Sequence, residues 1–495
     1  MPSLAVSAHA LINRLRAVFA SPASLWTSRR LFGVVFVALA LCWGFWWALY
    51  FPGCASTDSN DILKMVLGID ATSNHFRYEG LNSHHPLLYT GFVAAVVVPV
   101  RALTGSVTMA VGAFSLVQML LLSACVALAI AWLGRRGAAK AMVVAVVVFF
   151  ALNPLVGRYA VTLWKDVPFA GALLLFSLVV CDVVRTCGKW LSSPRRWAVL
   201  LATACLVALL RSNGAIVVIA SAVVLVAACR PSGMRIGARV VGAVVAVLLV
   251  QGAGAKAVGV ESAHFSETVS LPLQQLARTF VDGGTLSGSQ EEVLFNLLPG
   301  DEIEELFNPV TPNPLKFAPE FNDVYLDSHK AEFIAAWLGG VPSNMGHYVR
   351  AWADETRGYW DVRQESWHVV DAGYDVANTD VNVTASLLPG LTQQGFFAGQ
   401  HPTAVMARLA YPLCNCACLG LFSLLCLIVG CVSRRPGLAG MAVPSVFLWA
   451  CMLVAAPISN EFRYLFALHV LVPFLLCALS RKISGAVEEG VPSEL

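Results

Sequence analysis

Residues 84–103 read HHPLLYTGFVAAVVVPVRAL, and the placement of this stretch decides the topology of the rest of the chain. From Leu87 to Leu103 it is apolar enough to enter a bilayer, yet a histidine pair and Pro86 precede it and Arg101 lies near its end. If it crossed, the basic loop at 134–140 and the loops carrying Arg185, Lys189, Arg195, Arg196, Arg230, Arg235 and Arg239 would fall on the outer face. If it instead lies along the outer surface or re-enters, every basic loop falls inside, as the positive-inside bias requires. The second placement gives 18 cytoplasmic Lys and Arg against seven in the outer loops, or nine with Lys256 and Arg408 at span ends. We adopt it.

The surrounding chain supports a membrane setting. Of 495 residues, 57% are hydrophobic and 13% charged, far below the roughly 25% charged share of soluble domains. The repeated uncharged runs match bilayer-spanning helices better than one large soluble core. Arg14, Arg16, Arg29 and Arg30 precede the first apolar run, which places the N-terminus in the cytoplasm and makes that run a retained anchor. Spans are expected at 31–51, 107–133, 139–153, 167–184, 197–210, 214–229, 237–256, 404–432, 438–456 and 463–480. Both termini are then inside, in the cytoplasmic membrane. The fold class is an all-α polytopic membrane protein of about ten transmembrane helices.

Charge divides the chain further. Between Ala257 and Gln400 there are 20 acidic and 6 basic residues, so the remainder is strongly basic. We read 1–256 as a membrane domain with a first outer loop at 52–103, 257–400 as a mostly helical exterior module, and 401–495 as C-terminal membrane helices with a cytoplasmic tail. EEVLFNLL and KAEFIAAWLGG look helical, whereas NPVTPNPLKFAPE is broken by proline. The aromatic run WADETRGYWDVRQESWHVV suits packing, the membrane interface or a sugar site. Asn382-Val383-Thr384 is a formal glycosylation sequon and a weak signal.

None of the 14 cysteines lies in the module, which argues against a disulfide-stapled exterior. Cys414, Cys416 and Cys418 fit small helix-facing residues better than a metal set. The acidic exterior gives no basic surface for nucleic acid.

Chemistry concentrates at the expected outer ends. Asp58 and Asp61 stand three apart at the start of DILKMVLG, on one side of a first helical turn. They suit an N-cap and a helix-dipole partner, a general base at the water–membrane boundary, or ligands for Mg2+ or Mn2+. Lys165 and Asp166 are either a snorkelling lysine with its local partner or, for Lys165 helped by Arg158, a holder of phosphate charge. Arg211 and Arg463 run against the charge bias and so suggest an anion site, although Glu461 offers Arg463 an ion pair. His84 and His85 either pin the helix that Pro86 begins or bind phosphate.

Taken together, STDSND, HHPLLYT, TLWKD and NEFRY in this layout resemble the GT-C class of membrane glycosyltransferases. TLWKDVPFA, LLRSNG, SLPLQQLAR and EFRY also resemble a group of actinobacterial multi-spanning proteins of unknown function. The GT-C resemblance implies a polyprenyl-phosphate sugar donor, a glycan, lipid or protein acceptor, Asp58 first and Asp61 second as base, and Asp166 as a builder of the site. The Asp-Glu pair typical of protein mannosyltransferases is absent, which leaves acceptor and metal open. A transporter or lipid flippase is the alternative, but such proteins place ionisable groups near mid-membrane.

Overall fold

The computed structural model describes residues 28–69, 80–368, 373–376, 378–381, 386–388, 391, 410–455 and 458–485. Arg14, Arg16, Arg77, Arg408 and the 382–384 sequon lie outside them. The described residues are helical throughout, with isolated bridges in place of strands. Among them, six helices are long and apolar enough to cross a membrane, or seven if Lys140–Leu152 and Pro154–Ala160, bent by 61°, form one span. The chain is a multi-pass helical membrane protein.

Two ends of the bundle can be told apart from its contacts. Helix α1 (Ser28–Leu49) leads to the first loop, which holds α2 (Thr57–Leu67) and is followed by α3 (Leu87–Thr104). Helix α4 (Val107–Arg135) then runs away from that loop. Its Gln118 Nε2 donates to the Ala160 and Thr162 carbonyls at 3.2 and 2.7 Å, near its start. Further along, Trp132 donates to Asp182 at 3.0 Å and Arg136 pairs with the same carboxylate. Since Asp182 closes α7 (Asp166–Arg185), α4 and α7 run parallel, and α5 (Lys140–Leu152) with the bent α6 (Pro154–Ala160) makes the return.

The alternation continues through α8 (Pro194–Leu210), α9 (Gly214–Ala228) and α10 (Gly233–Ala257). Arg211, after α8, bonds Asp166 at the loop end, whereas Cys229, after α9, reaches Val183 at the far end. Glu261, just beyond α10, returns to the outer loop and pairs with Leu81 and Ser83. Near the C-terminus, α15 (Cys416–Val432), α16 (Pro436–Ala455) and α17 (Phe466–Ala478) repeat the pattern. Glycines permit the close crossings: a Cβ on Gly420 would lie 2.2 Å from the Trp449 ring, and one on Gly157 would lie 2.3 Å from Trp46.

Helix α3 packs on α4. Tyr89 donates to Gln118 at 3.1 Å, so α3 starts at the loop end. It finishes at Gly105 and Ser106, which lead straight into the first residue of α4. Helices α3 and α4 thus form an antiparallel hairpin, and α3 is itself one of the six helices long and apolar enough to cross.

Between α10 and α15 the module forms α11 (Ser270–Val281), α12 (Gly288–Leu297), α13 (Gly300–Leu306) and the long α14 (Lys330–Thr356). Its own apolar core runs from Val269 to Phe333, around Leu276, Leu294, Phe321 and Phe333. The following residues join the main core instead, through Tyr359 and Val376. The module is thus helical where expected, and its second half is built into the membrane body.

Candidate functional site

The loop end gathers charged side chains from four separate segments. Ser56 starts α2 through a capping box: the Ser56 N–H donates to Ser59 Oγ at 3.0 Å. The cap is Ser56, not Asp58, because Asp58 falls inside the first turn. Its side chain is left to look outward. The two loops then lock together: the Cys54 N–H donates to the Val161 carbonyl at 3.1 Å, the Leu163 N–H donates to the Cys54 carbonyl at 3.0 Å, and Trp164 Nε1 donates to Ser56 Oγ at 2.6 Å.

On this frame Arg463 Nη1 donates to Asp58 Oδ2 at 2.9 Å, across 405 residues of sequence, and Lys165 Nζ stands 3.9 Å from the same oxygen. Lys165 also lies 3.4 Å from His85 Nδ1, which accepts because an ammonium only donates. The rings of His84 and His85 meet edge to face at 4.7 Å. The Arg463 guanidinium sits over Trp164 and Tyr464, at 5.5 and 5.2 Å. Asp58 and Lys165 remain 19% exposed, so this cluster opens to its surroundings.

Lys165 and Asp166, adjacent in sequence, do not pair with each other. Asp166 Oδ1 accepts from Arg211 Nη1 at 2.6 Å in a buried pair, and Arg211 also donates to the Tyr464 carbonyl at 3.2 Å. That pair braces the start of α7 against the segment carrying Arg463. Arg158 stacks over the Tyr50 ring at 5.5 Å. Glu461 lies 3.8 Å from Arg463 Nε, a longer contact than the one to Asp58.

Electrostatics separates the two aspartates. Burial opposes the charge on Asp58, but Arg463 and Lys165 outweigh it and hold the carboxyl far below its usual range. Asp61 is pushed up to about 7, first by burial and then by Asp58, with Lys64 partly offsetting them. Both Asp61 oxygens are buried without a hydrogen-bond partner among the described residues. Burial lowers Lys165, opposed by Asp58 and Asp166, lowers His84 to about 4 and holds His85 well below its usual range, so both imidazoles are neutral near pH 7. Glu461 is raised by burial to about 7.

Other contributors carry no sequence signal of their own. Asn60 brackets a strand-like segment of the module, donating to the Gly373 carbonyl and accepting from the Asp375 N–H, both at 3.1 Å. Tyr374 donates to the Gly53 carbonyl at 3.0 Å, and Lys64 lies 3.5 Å from Asp375. Glu267 pairs with buried Lys316 at 2.9 Å and acts electrostatically on His84. These contacts join positions hundreds of residues apart, which local spacing does not reveal.

The described residues contain no group of three His, Cys, Asp or Glu side chains able to hold a metal ion. Asp58 already faces two cations, so the donor set does not fit the Mg2+ or Mn2+ considered from sequence.

Residues 77–491 match a family described as of unknown function, DUF6020. The chain belongs to that family. The DUF6020 match takes in Lys165, Asp166, Arg211 and Arg463 and begins after Asp58 and Asp61. No curated protein and no solved structure matches the chain.

Proposed function

We propose that this DUF6020 protein is a GT-C-like membrane glycosyltransferase that moves a sugar from a polyprenyl phosphate to a cell-envelope acceptor at the outer face of the cytoplasmic membrane. The observation that carries the reading is the partly open Asp58 carboxylate held between Arg463 and Lys165. A base and two phosphate-binding cations at a bilayer surface suit a lipid-borne anionic donor.

In the reaction, the bond from the sugar's anomeric carbon to the phosphate oxygen breaks while the acceptor oxygen bonds that carbon. Asp58 takes the acceptor's hydroxyl proton, and the polyprenyl phosphate leaves with its negative charge on Lys165 and Arg463. Arg211 and Asp166 are positioning residues here, since they are bonded to each other. His84 and His85, neutral, offer hydrogen bonds at the cluster's edge. No step runs through a metal.

The topology that goes with this reading has ten crossings, with α3 lying at the outer side. The basic residues Arg135, Arg136, Lys140, Arg185, Arg230, Arg435, Arg481 and Lys482 flank the ends of helices away from the outer loop, which favours a cytoplasmic far end. A second reading, a proton-coupled transporter of an anionic lipid, is favoured by the buried Asp61, raised to about 7. Purified protein given a lipid-linked sugar should transfer it, and Asp58→Asn should abolish transfer while the fold persists. Unchanged turnover in Asp58→Asn and in Asp61→Asn overturns the assignment. Sugar-independent lipid movement lost in Asp61→Asn favours the transporter.

A further inference from the structure

Helix α14 buries one face and leaves a second apolar face open. Phe333 and Tyr348 point into protein. A different set, Ala335, Leu338 and Pro342 before the kink at Asn344 and Met345, Val349 and Trp352 after it, is exposed, Leu338 and Met345 at 54% each and Val349 at 52%. Charged residues are kept to the stripe's edge, at Glu332, Arg350 and Asp354. A solvated helix of 27 residues would carry polar side chains on such a face.

The helix is held across the loop end of the bundle. Near its start, Lys330 Nζ lies 5.3 Å over the Phe265 ring, and Phe265 follows the Glu261–Ala263 segment that is bonded to Leu81 and Ser83. Near its end, Trp352 Nε1 donates to the Leu453 carbonyl at 2.6 Å, in the last turn of α16. Gly358 then packs against Ser459 and Asn460. The helix bends at Asn344, beside Pro342; its first segment packs within the module and its second is tied to the end of the bundle through Trp352 and Gly358.

The stripe also continues the lipid-facing surface. Trp352 belongs to it, and the Trp352 contact is made beside Val454, 68% exposed at the outer end of a candidate span. Trp360 and Trp367 are exposed shortly afterwards. Tryptophan favours the zone where headgroups meet acyl chains, because its ring is apolar and its N–H is polar.

From these observations we infer that α14 is an interfacial helix whose Leu338–Trp352 stripe seats the exterior module in the outer lipid layer. Its partner is the headgroup–acyl boundary of the bilayer. This assignment is independent of the proposed chemistry. It makes the module a membrane-resting cover, so a lipid-borne molecule meets the Asp58 cluster without leaving the interface.

The test is hydroxyl-radical footprinting of the full chain in lipid nanodiscs, read residue by residue by mass spectrometry and normalised to intrinsic reactivity. Val324, in the same module and 77% exposed, is the solvent reference. In discs shown to hold one chain, Leu338, Met345, Val349 and Trp352 should be labelled about tenfold less than Val324. Labelling equal to that of Val324 overturns the inference. Protection confined to discs holding two chains also overturns it, by assigning the stripe to a second copy.

Discussion

Replacing Asp58 by asparagine should move binding and turnover in opposite directions. Asp58 Oδ2 faces Arg463 at 2.9 Å and Lys165 at 3.9 Å, so an incoming phosphate must compete with it for both cations. In a medium of effective dielectric about 20, a 4 Å pair attracts by about 4 kcal/mol before desolvation. Partial exposure and the cost of fixing long side chains reduce the net value to about 1–2 kcal/mol. Asparagine keeps the shape and removes the charge. Polyprenyl phosphate should then bind about 5- to 30-fold more tightly, while sugar transfer falls by about 10^2- to 10^4-fold for loss of a general base. Calorimetric titration of a short-chain polyprenyl phosphate into the detergent-solubilised protein gives the first quantity, and radiolabelled sugar transfer gives the second. A purely structural aspartate would lose both together. Weaker phosphate binding by a folded Asp58→Asn protein, or full turnover, refutes the reasoning.

Stability should fall as pH rises through the range set by Asp61. Its carboxyl is raised to about 7 in the folded protein against roughly 3.9 unfolded, so the native state holds the extra proton. Stability is then fully present below pH ~4 and lost as pH rises through about 7. Asp61→Asn should flatten that part of the unfolding-temperature profile relative to wild type; identical slopes would show that Asp61 does not hold its proton. Asp166→Ala strands Arg211 in a buried site and should cost about 3–5 kcal/mol, whereas Asp166→Leu with Arg211→Met should recover most of it, as read by thermal unfolding. Gly358→Ala would place a Cβ 2.3 Å from the Ser459 carbonyl oxygen. It should cost about 1–3 kcal/mol and speed amide exchange at Trp367, whose N–H donates to Asn460.

The helices were legible because each apolar run is bounded by charge, proline or glycine, and the bilayer sets its length. The reading of Leu87–Thr104 as a surface helix rests on the distribution of lysine and arginine over the whole chain, whereas its contacts give an antiparallel hairpin with α4. Side-chain pairing was legible only in part. Asp58, Lys165, Arg211 and Arg463 were each marked by lying at an outer helix end, yet nothing local says that Lys165 pairs with Asp58 while Asp166 pairs with Arg211. The start of α7 decides that, because consecutive residues on a helix point in different directions. Arg158 carried no such pairing signal: α6 is bent by 61° from α5, and the guanidinium stacks over Tyr50. The aromatic run of the module divides as well: Tyr359 is buried, and Trp352, Trp360 and Trp367 are exposed.

The same ion cluster sets an order for the proposed reaction. An acceptor that arrives first meets a carboxylate held by Arg463 and Lys165, far below its usual pKa range and therefore a weak base. A phosphate that arrives first draws those two cations toward itself. Asp58 then loses the charges that depress it, while burial continues to push it up. Its basicity rises at the moment the leaving group is in place. Transfer through this site accordingly requires donor before acceptor, and without a donor the carboxylate stays paired and unreactive.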